Sequence, residues 1–150
     1  MARLLIVHHT PSPATAELLA EVQRGANDPE IIGVEVTSRA ALVATASDLL
    51  ACDGIVLGTP ANIGYMSGAL KHFFDTVYYP CLEAKVGMPY GVYVHGQSDT
   101  TGAVRSIEKA TTGMKWRLAA EPVLVVGDPT AVDREAVTEL GSTLAATLVS

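Results

Sequence analysis

Short apolar runs alternate along this chain with longer segments in which apolar residues recur every three or four positions. The short runs are rich in β-branched residues and are typical of strands; they cover residues 4–7, 31–37, 55–58, 90–94 and 122–127. The longer segments have the spacing of amphipathic helices; they cover residues 14–25, 40–50, 66–77, 103–112 and the stretch after 130. The pattern therefore predicts five strands, each followed by a helix.

This alternation predicts the fold class. Strands separated by helices pair in parallel with right-handed crossovers, which indicates a single α/β domain over residues 1–150. Five units are too few to close an eight-stranded barrel, so an open, doubly wound five-stranded sheet is expected. Such a sheet binds its ligand at the carboxyl ends of the strands. The candidate loops are residues 10–15, 59–67, 95–102 and 127–130.

Composition and charge narrow the classes of partner and location. A chain of 150 residues with 49% hydrophobic and 17% charged residues is not disordered, and a net charge of −6 disfavours nucleic acid or an anionic membrane as partner. No apolar run is long enough for a membrane span or a signal peptide. Cys52 and Cys81 lack metal-binding spacing, so we expect no metal site, two buried reduced thiols and a cytoplasmic protein.

The first candidate loop carries three hydroxyl groups, on Thr10, Ser12 and Thr15, directly before a predicted helix. A helix N-terminus offers unpaired N–H groups to an anion, and hydroxyls donate to phosphate oxygens. The same residues also fit a simple helix cap, with Ser12 as the N-cap and Pro13 at the first helical position. Both interpretations stay open at this point. The loop has neither a Walker pattern nor G-x-G-x-x-G, so nucleoside triphosphate chemistry is not expected.

The second and third loops have the composition of a surface for a flat ligand. Gly58, Pro60 and Gly64 predict an irregular backbone that presents N–H and C=O groups, and Ile63 adds an apolar side chain. The third loop, residues 95–102, is polar and glycine-rich, and in this fold it lies beside the second. It would hydrogen-bond one edge of a ring, or its polar residues would only cap the following helix.

Residues 53–75, which read D-G-I-V-L-G-T-P-A-N-I-G-Y-M-S-G-A-L-K-H-F-F-D, resemble the flavodoxin-like NAD(P)H-dependent FMN reductases and quinone reductases. In that family a strand ending in G-[TS]-P leads through a short loop into a helix of the form M-[SA]-x-x-[LM]-K-x-[FW]-[FL]-D. The first loop resembles the family's phosphate loop, [ST]-x-[ST]-G-x-T. The resemblance extends over essentially the whole chain, and it implies a flavodoxin-like sheet with strand order 2-1-3-4-5.

The resemblance implies FMN as cofactor and NADPH or NADH as electron donor. It assigns FMN-binding residues in three groups: Thr10, Ser12, Ala14 and Thr15 around the phosphate; Pro60, Ala61, Asn62, Ile63 and Gly64 along the ring; and Gly96, Gln97 and Asp99 at the ring's other edge. No dedicated acid or base is implied, because the cofactor carries the chemistry. A quinone, a flavin or a similar small molecule would accept the electrons, and a homo-oligomer, dimer or tetramer, is expected.

Two alternatives stay open. A flavodoxin-type one-electron carrier has the same fold, but such carriers are strongly acidic around the ring, and residues 59–67 and 95–102 contain one carboxylate, Asp99. The other alternative is a flavodoxin-fold protein that has lost FMN binding. It is motivated by Pro13, which has no N–H and stands where the family usually has glycine. Ala61 and Asn62 also replace the Thr-Arg of many quinone reductases.

Overall fold

The computed structural model describes residues 1–150 as a sheet with helices on both faces. The strands are β1 (Ala2–His8), β2 (Val34–Ala40), β3 (Gly54–Asn62), β4 (Tyr65–Met66), β5 (Pro89–Gly96), β6 (Arg117–Leu118) and β7 (Val123–Val126). The helices are α1 (Pro13–Ala26), α2 (Ala46–Ala51), α3 (Gly68–Val77), α4 (Thr101–Gly113) and α5 (Ala131–Thr147). None of the five helices combines the length and the apolar character that crossing a membrane requires.

The strand order confirms the predicted topology. The main sheet is parallel, in the order β2-β1-β3-β5, and both β6 and β7 pair with β5 at the far edge. β5 is thus the fourth predicted strand, and β6 and β7 share the fifth position of the order 2-1-3-4-5. β6 was not predicted, because both of its residues are exposed and the apolar pattern has no signal there.

Three predicted elements begin later than the apolar pattern indicated. The third helix begins at Gly68 rather than residue 66, because Met66 belongs to β4. The second strand begins at Val34 rather than residue 31, and Gly33, at φ 98°, turns the chain just before it. The second helix begins at Ala46 rather than residue 40, because Ala40 still pairs with His8 in the sheet. Thr45 then starts the helix: its hydroxyl accepts the N–H of Asp48 at 3.2 Å, in a capping box.

Two buried apolar layers hold the helices against the sheet. One contains 23 buried residues, most of them from α2, α3, α4 and the sheet face beneath them, and the other contains 12, chiefly from α1, α5 and the opposite face. β1 contributes to both layers, with Leu4 and Ile6 on one face and Leu5 and Val7 on the other. This confirms that the first apolar run is a strand buried on both sides.

α1 and α5 approach each other backbone to backbone. A Cβ atom on Gly25 would lie 1.8 Å from the carbonyl oxygen of Thr138, and one on Gly141 would lie 2.2 Å from the carbonyl oxygen of Val22. Both positions therefore require glycine in this packing. The contact positions α1, whose N-terminus belongs to the first candidate loop.

Candidate functional site

Three of the four candidate loops, residues 10–15, 59–67 and 95–102, meet at the carboxyl edge of the sheet. They follow or extend β1, β3 and β5, which are adjacent strands. In register, His8 lies opposite Gly58, and Pro60 lies opposite His95. A Cβ atom on Gly96 would lie 3.4 Å from the Cβ of Ala61, so the second and third loops are in contact. This is the edge at which an open parallel sheet binds ligands.

In the first loop, the hydroxyls form the helix cap that the simpler interpretation predicted. The Ser12 hydroxyl accepts the N–H of Thr15 at 3.2 Å, and the Thr15 hydroxyl accepts the N–H of Ser12 at 3.1 Å. Pro13 occupies the first helical position, and the Thr10 hydroxyl lies 2.7 Å from Nδ1 of His8. Burial lowers the pKa of His8, and the neighbouring His9 lowers it further.

The same loop retains donors that nothing in the chain uses. The backbone N–H groups of Thr10 and Ala14 make no hydrogen bond, and the Nδ1 atom of His9 is buried without a partner. The N–H groups of Thr10 and Ala14 lie at the N-terminus of α1, where the helix dipole favours an anion. Pro11 and Pro13 contribute no N–H, and the loop has no lysine or arginine. These donors fit a phosphate group held by neutral hydrogen bonds.

The second loop is a β-hairpin, and the prediction of an irregular connection from strand to helix was wrong. β3 continues to Asn62, and β4 returns antiparallel with Tyr65 opposite Asn62. The turn between them has positive φ at both central residues, 51° at Ile63 and 69° at Gly64. That combination is typical of a type I′ turn, whose twist suits a two-residue hairpin. The side chain of Ile63 is fully exposed at the tip.

α4 holds the hairpin in place. The N–H of Met66 donates to the hydroxyl of Ser106 at 3.0 Å, beneath the second strand of the hairpin. At the tip, a Cβ atom on Gly102 would lie 1.8 Å from the carbonyl oxygen of Gly64. Only glycine therefore lets the turn rest on the first turn of α4. No local sequence pattern marks Gly102 or Ser106 for these contacts, because their partners lie far away in the chain.

Ser67 joins the hairpin to α3 as the N-cap of that helix. Its hydroxyl accepts the N–H of Leu70 at 3.1 Å, and its own N–H donates to the hydroxyl of Thr59 at 3.0 Å. Both Ser67 and Thr59 are buried. The hairpin base is thus fixed to the end of β3 while its tip remains exposed.

The third loop combines a buried glycine with exposed polar groups. Gly96 is buried, whereas Gln97 and Asp99 are exposed. The carboxylate of Asp99 accepts the N–H of Thr101 at 2.9 Å, and this hydrogen bond lowers the pKa of Asp99. His95 is buried, and its Nε2–H donates to the carbonyl oxygen of Gly127 at 2.8 Å. The loop is therefore tied to the start of α4 and to the turn after β7.

The site is an open shelf and not a closed cavity. None of the four cavities of the molecule is lined by residues of the first or third loop. One cavity, which lies between α3 and α4 and has a volume of about 310 Å³, includes Tyr65 of the second loop in its lining. An exposed shelf leaves one side of a flat ligand accessible to a second molecule.

Comparison with known proteins agrees with this geometry. Residues 14–129 match the NADPH-dependent FMN reductase family. A flavodoxin of Aquifex aeolicus (strain VF5) is 35% identical over 77 residues, which are 51% of this chain and 40% of that protein. The chain thus matches less than half the length of this curated relative.

Solved structures show the same fold. A flavodoxin from the domain Archaea superposes with a TM-score of 0.83 over 99% of both chains, at 17% identity. The flavodoxin, WrbA-like protein from Agrobacterium tumefaciens superposes with a TM-score of 0.80, at 19% identity, over 99% of this chain and 98% of its own. These likenesses confirm the flavodoxin-like fold, and the family match covers most of the chain. The chain belongs to the NADPH-dependent FMN reductase family.

Proposed function

We propose that the chain binds FMN at the carboxyl edge of its sheet and passes electrons from NADPH or NADH to a small acceptor such as a quinone or a flavin. The observation that carries the proposal is the meeting of the α1 N-terminus, the hairpin tip and the third loop at one exposed edge. Bound FMN would supply the group that accepts a hydride and releases electrons. The loop residues then have only to bind FMN and to orient its ring.

The first loop supports the phosphate end of FMN. The N–H groups of Ala14 and Thr10 have no acceptor in the protein and are available to bind an anion. The hydroxyls of Ser12 and Thr15 already accept backbone N–H groups. A hydroxyl that accepts can still donate its own hydrogen, so capping α1 and holding a phosphate are compatible.

The hairpin and the third loop support the ring. The exposed tip offers the backbone N–H groups of Ile63 and Gly64, which make no hydrogen bond in the protein, and the fully exposed side chain of Ile63 adds an apolar surface. Gly96 is placed beside Ala61, where it brings the third loop against the hairpin. With the shelf open on one side, donor and acceptor can reach the ring in turn.

The charge around the shelf favours a reductase over a one-electron carrier. Residues 59–67 and 95–102 together contribute a single carboxylate, Asp99. A carrier that docks to basic partners needs an acidic surface there, because complementary charge steers the encounter. A homo-oligomer stays a prediction.

A flavin-retention experiment tests the proposal. The purified chain is mixed with excess FMN, passed through gel filtration, and its visible absorbance is recorded. Retained flavin should be bleached by NADPH or NADH without oxygen, and an added quinone should restore the colour over many turnovers. Retention without bleaching by either nicotinamide would favour the carrier. No retention at excess FMN would favour a member that has lost the cofactor.

Pro13→Gly should sharpen that test. Glycine restores an N–H at the first position of α1, and a hydrogen bond to a charged group contributes about 1.5 kcal/mol or more. The Kd for FMN should therefore fall by about tenfold, as measured by flavin fluorescence quenching. Pro29→Gly is the matched control, because Pro29 is exposed in a turn outside the candidate loops. Equal affinities in the two variants would place the phosphate elsewhere.

A further inference from the structure

A second ligand-sized cavity lies outside the proposed FMN site, between α3 and α4. We name it the α3–α4 groove; its volume is about 310 Å³, near the lower end of the roughly 300–1,000 Å³ range of small-molecule pockets. Four of its ten lining residues have aromatic side chains: Tyr65, Phe74, Tyr78 and Tyr79. Phe74 is buried while Tyr79 is 81% exposed, so the groove runs from the apolar core out to solvent.

The groove contains polar donors that the fold does not use. Tyr90, at a different place in the core, has the one tyrosine hydroxyl that is hydrogen-bonded to another group of the chain. The hydroxyls of Tyr65 and Tyr79 are thus free to bond a ligand, whereas that of Tyr78 packs against Gly113. Lys109, on the α4 side of the groove, takes part in none of the five ion pairs of the molecule.

Charge distinguishes the groove from the rest of the protein. Lys71 and Asp75 also line it, and they neutralise each other in an ion pair of 2.5 Å. The ammonium group of Lys109 is left over, so the lining is net positive in a chain whose net charge is −6. An anion is therefore favoured here, while aromatic walls favour a flat ring.

We propose that the α3–α4 groove binds a planar aromatic anion of the aromatic carboxylate class. The ring would pack among the tyrosine rings and Phe74, and the carboxylate would pair with Lys109 and accept from a tyrosine hydroxyl. A cationic ligand would face an unpaired ammonium, and an aliphatic one would not stack on the aromatic side chains. The groove shares Tyr65 and Met66 with the hairpin, so its occupant touches the strand that returns from the proposed ring site.

This inference does not rest on FMN binding, and its test keeps the two apart. We would titrate the full chain with 2-naphthoate and with the neutral 2-naphthamide, with and without saturating FMN, by calorimetry and by amide NMR shifts. Naphthoate should bind one site per chain, about fivefold more tightly than naphthamide. The shifts should map to Tyr65, Lys109 and Ala110 whether or not FMN is present. Shifts confined to residues 10–15 and 96–102 would overturn the proposal.

Paired variants test the charge and the aromatic wall separately. Lys109→Gln should weaken naphthoate binding about fivefold without affecting naphthamide, whereas Lys115→Gln, at an exposed lysine outside the groove, should change neither. Tyr79→Ala should weaken both probes, and Tyr79→Phe should retain most of the affinity for each. Equal naphthoate affinity in Lys109→Gln and Lys115→Gln would overturn the proposal, as would equal affinity for the two probes.

Discussion

Ile63 holds a backbone conformation that its own side chain disfavours. Its φ of 51° lies in the left-handed region, where a β-branched residue is strongly disfavoured. Its side chain is fully exposed, so no packing inside the protein offsets that cost. Unfavourable backbone of this kind is concentrated at functional sites. The position of Ile63 at the hairpin tip is consistent with an apolar contact to the proposed ring.

Ile63→Asn should therefore separate stability from binding. Asn-Gly is the most favoured pair for a type I′ turn, so the free energy of unfolding without FMN should rise by about 1 kcal/mol. FMN affinity should fall severalfold, because the apolar contact is lost. Urea unfolding and FMN titration measure the two effects. Ile32→Asn, at another exposed isoleucine, should change neither; a less stable Ile63→Asn protein would contradict the account of strain.

His8 gives the stability a pH dependence that can be isolated. Its pKa is lowered on folding from the ordinary 6.5, so the folded chain resists protonation. As pH falls below about 6.5, the unfolded chain takes up a proton first, and stability is lost until the pH passes the folded pKa. His8→Gln should lose less stability than the parent between pH 7 and 5. His72→Gln, at an exposed histidine on α3, is the control and should behave as the parent.

At the scale of elements, the pattern of apolar residues predicted the strands that are buried in the sheet. The buried runs at β1, β3 and β5 are continuous, and each was found. β6 consists of two exposed residues and forms only because β5 offers a free edge, which no local pattern records. The second helix was predicted to begin too early. Its apolar pattern includes Ala40, which pairing with β1 keeps in a strand.

The position of the three loops at one edge of the sheet was predicted, whereas the hairpin shape of the second loop was not. The three groups of residues came from loop position and motif resemblance, and the structure brings their loops to one edge. The hairpin was not predicted, because Ile63-Gly64 is a poor sequence signal for a type I′ turn. The contact of the hairpin tip with α4 joins Gly64 to Gly102, which are far apart in the chain. Such contacts leave no local periodicity.

Gly102→Ala should displace the hairpin tip while sparing the fold. The added methyl would collide with the carbonyl oxygen of Gly64, and the exposed turn can move away more easily than α4. We expect stability to change by less than about 1 kcal/mol and FMN affinity to fall by about tenfold. Amide NMR shifts at Ile63 and Gly64 report the displacement. Gly68→Ala, where a Cβ meets nothing within 4 Å, is the control; unchanged affinity in Gly102→Ala would refute the role of the contact.

At the scale of the whole molecule, the two helical layers are held to the sheet in different ways. The face with α2, α3 and α4 has the larger apolar layer. The other face relies on the direct approach of α1 and α5 through Gly25 and Gly141. Close backbone packing tolerates no added volume, because a carbonyl group cannot rotate away as a side chain can.

Gly141→Ala tests how rigid that packing is. Inside a helix, alanine is ordinarily about 1 kcal/mol more favourable than glycine. Here the new methyl would meet the carbonyl oxygen of Val22, so we expect a loss of at least about 2 kcal/mol in the free energy of unfolding. Thermal and urea unfolding measure it against Gly68→Ala, which should be neutral or slightly stabilising. A neutral Gly141→Ala would mean that α5 shifts freely on α1.

The two buried thiols provide a chemical probe of how often the core opens. Cys52 and Cys81 are both free and buried, and burial raises the pKa of Cys52 to about 12. Only a thiolate reacts readily with an alkylating reagent, so neither sulfur can be labelled until the core opens. The rate of labelling by iodoacetamide therefore rises with the fraction of molecules whose core is open. In a protein proposed to handle electrons, the same burial keeps both sulfurs from diverting oxidising equivalents.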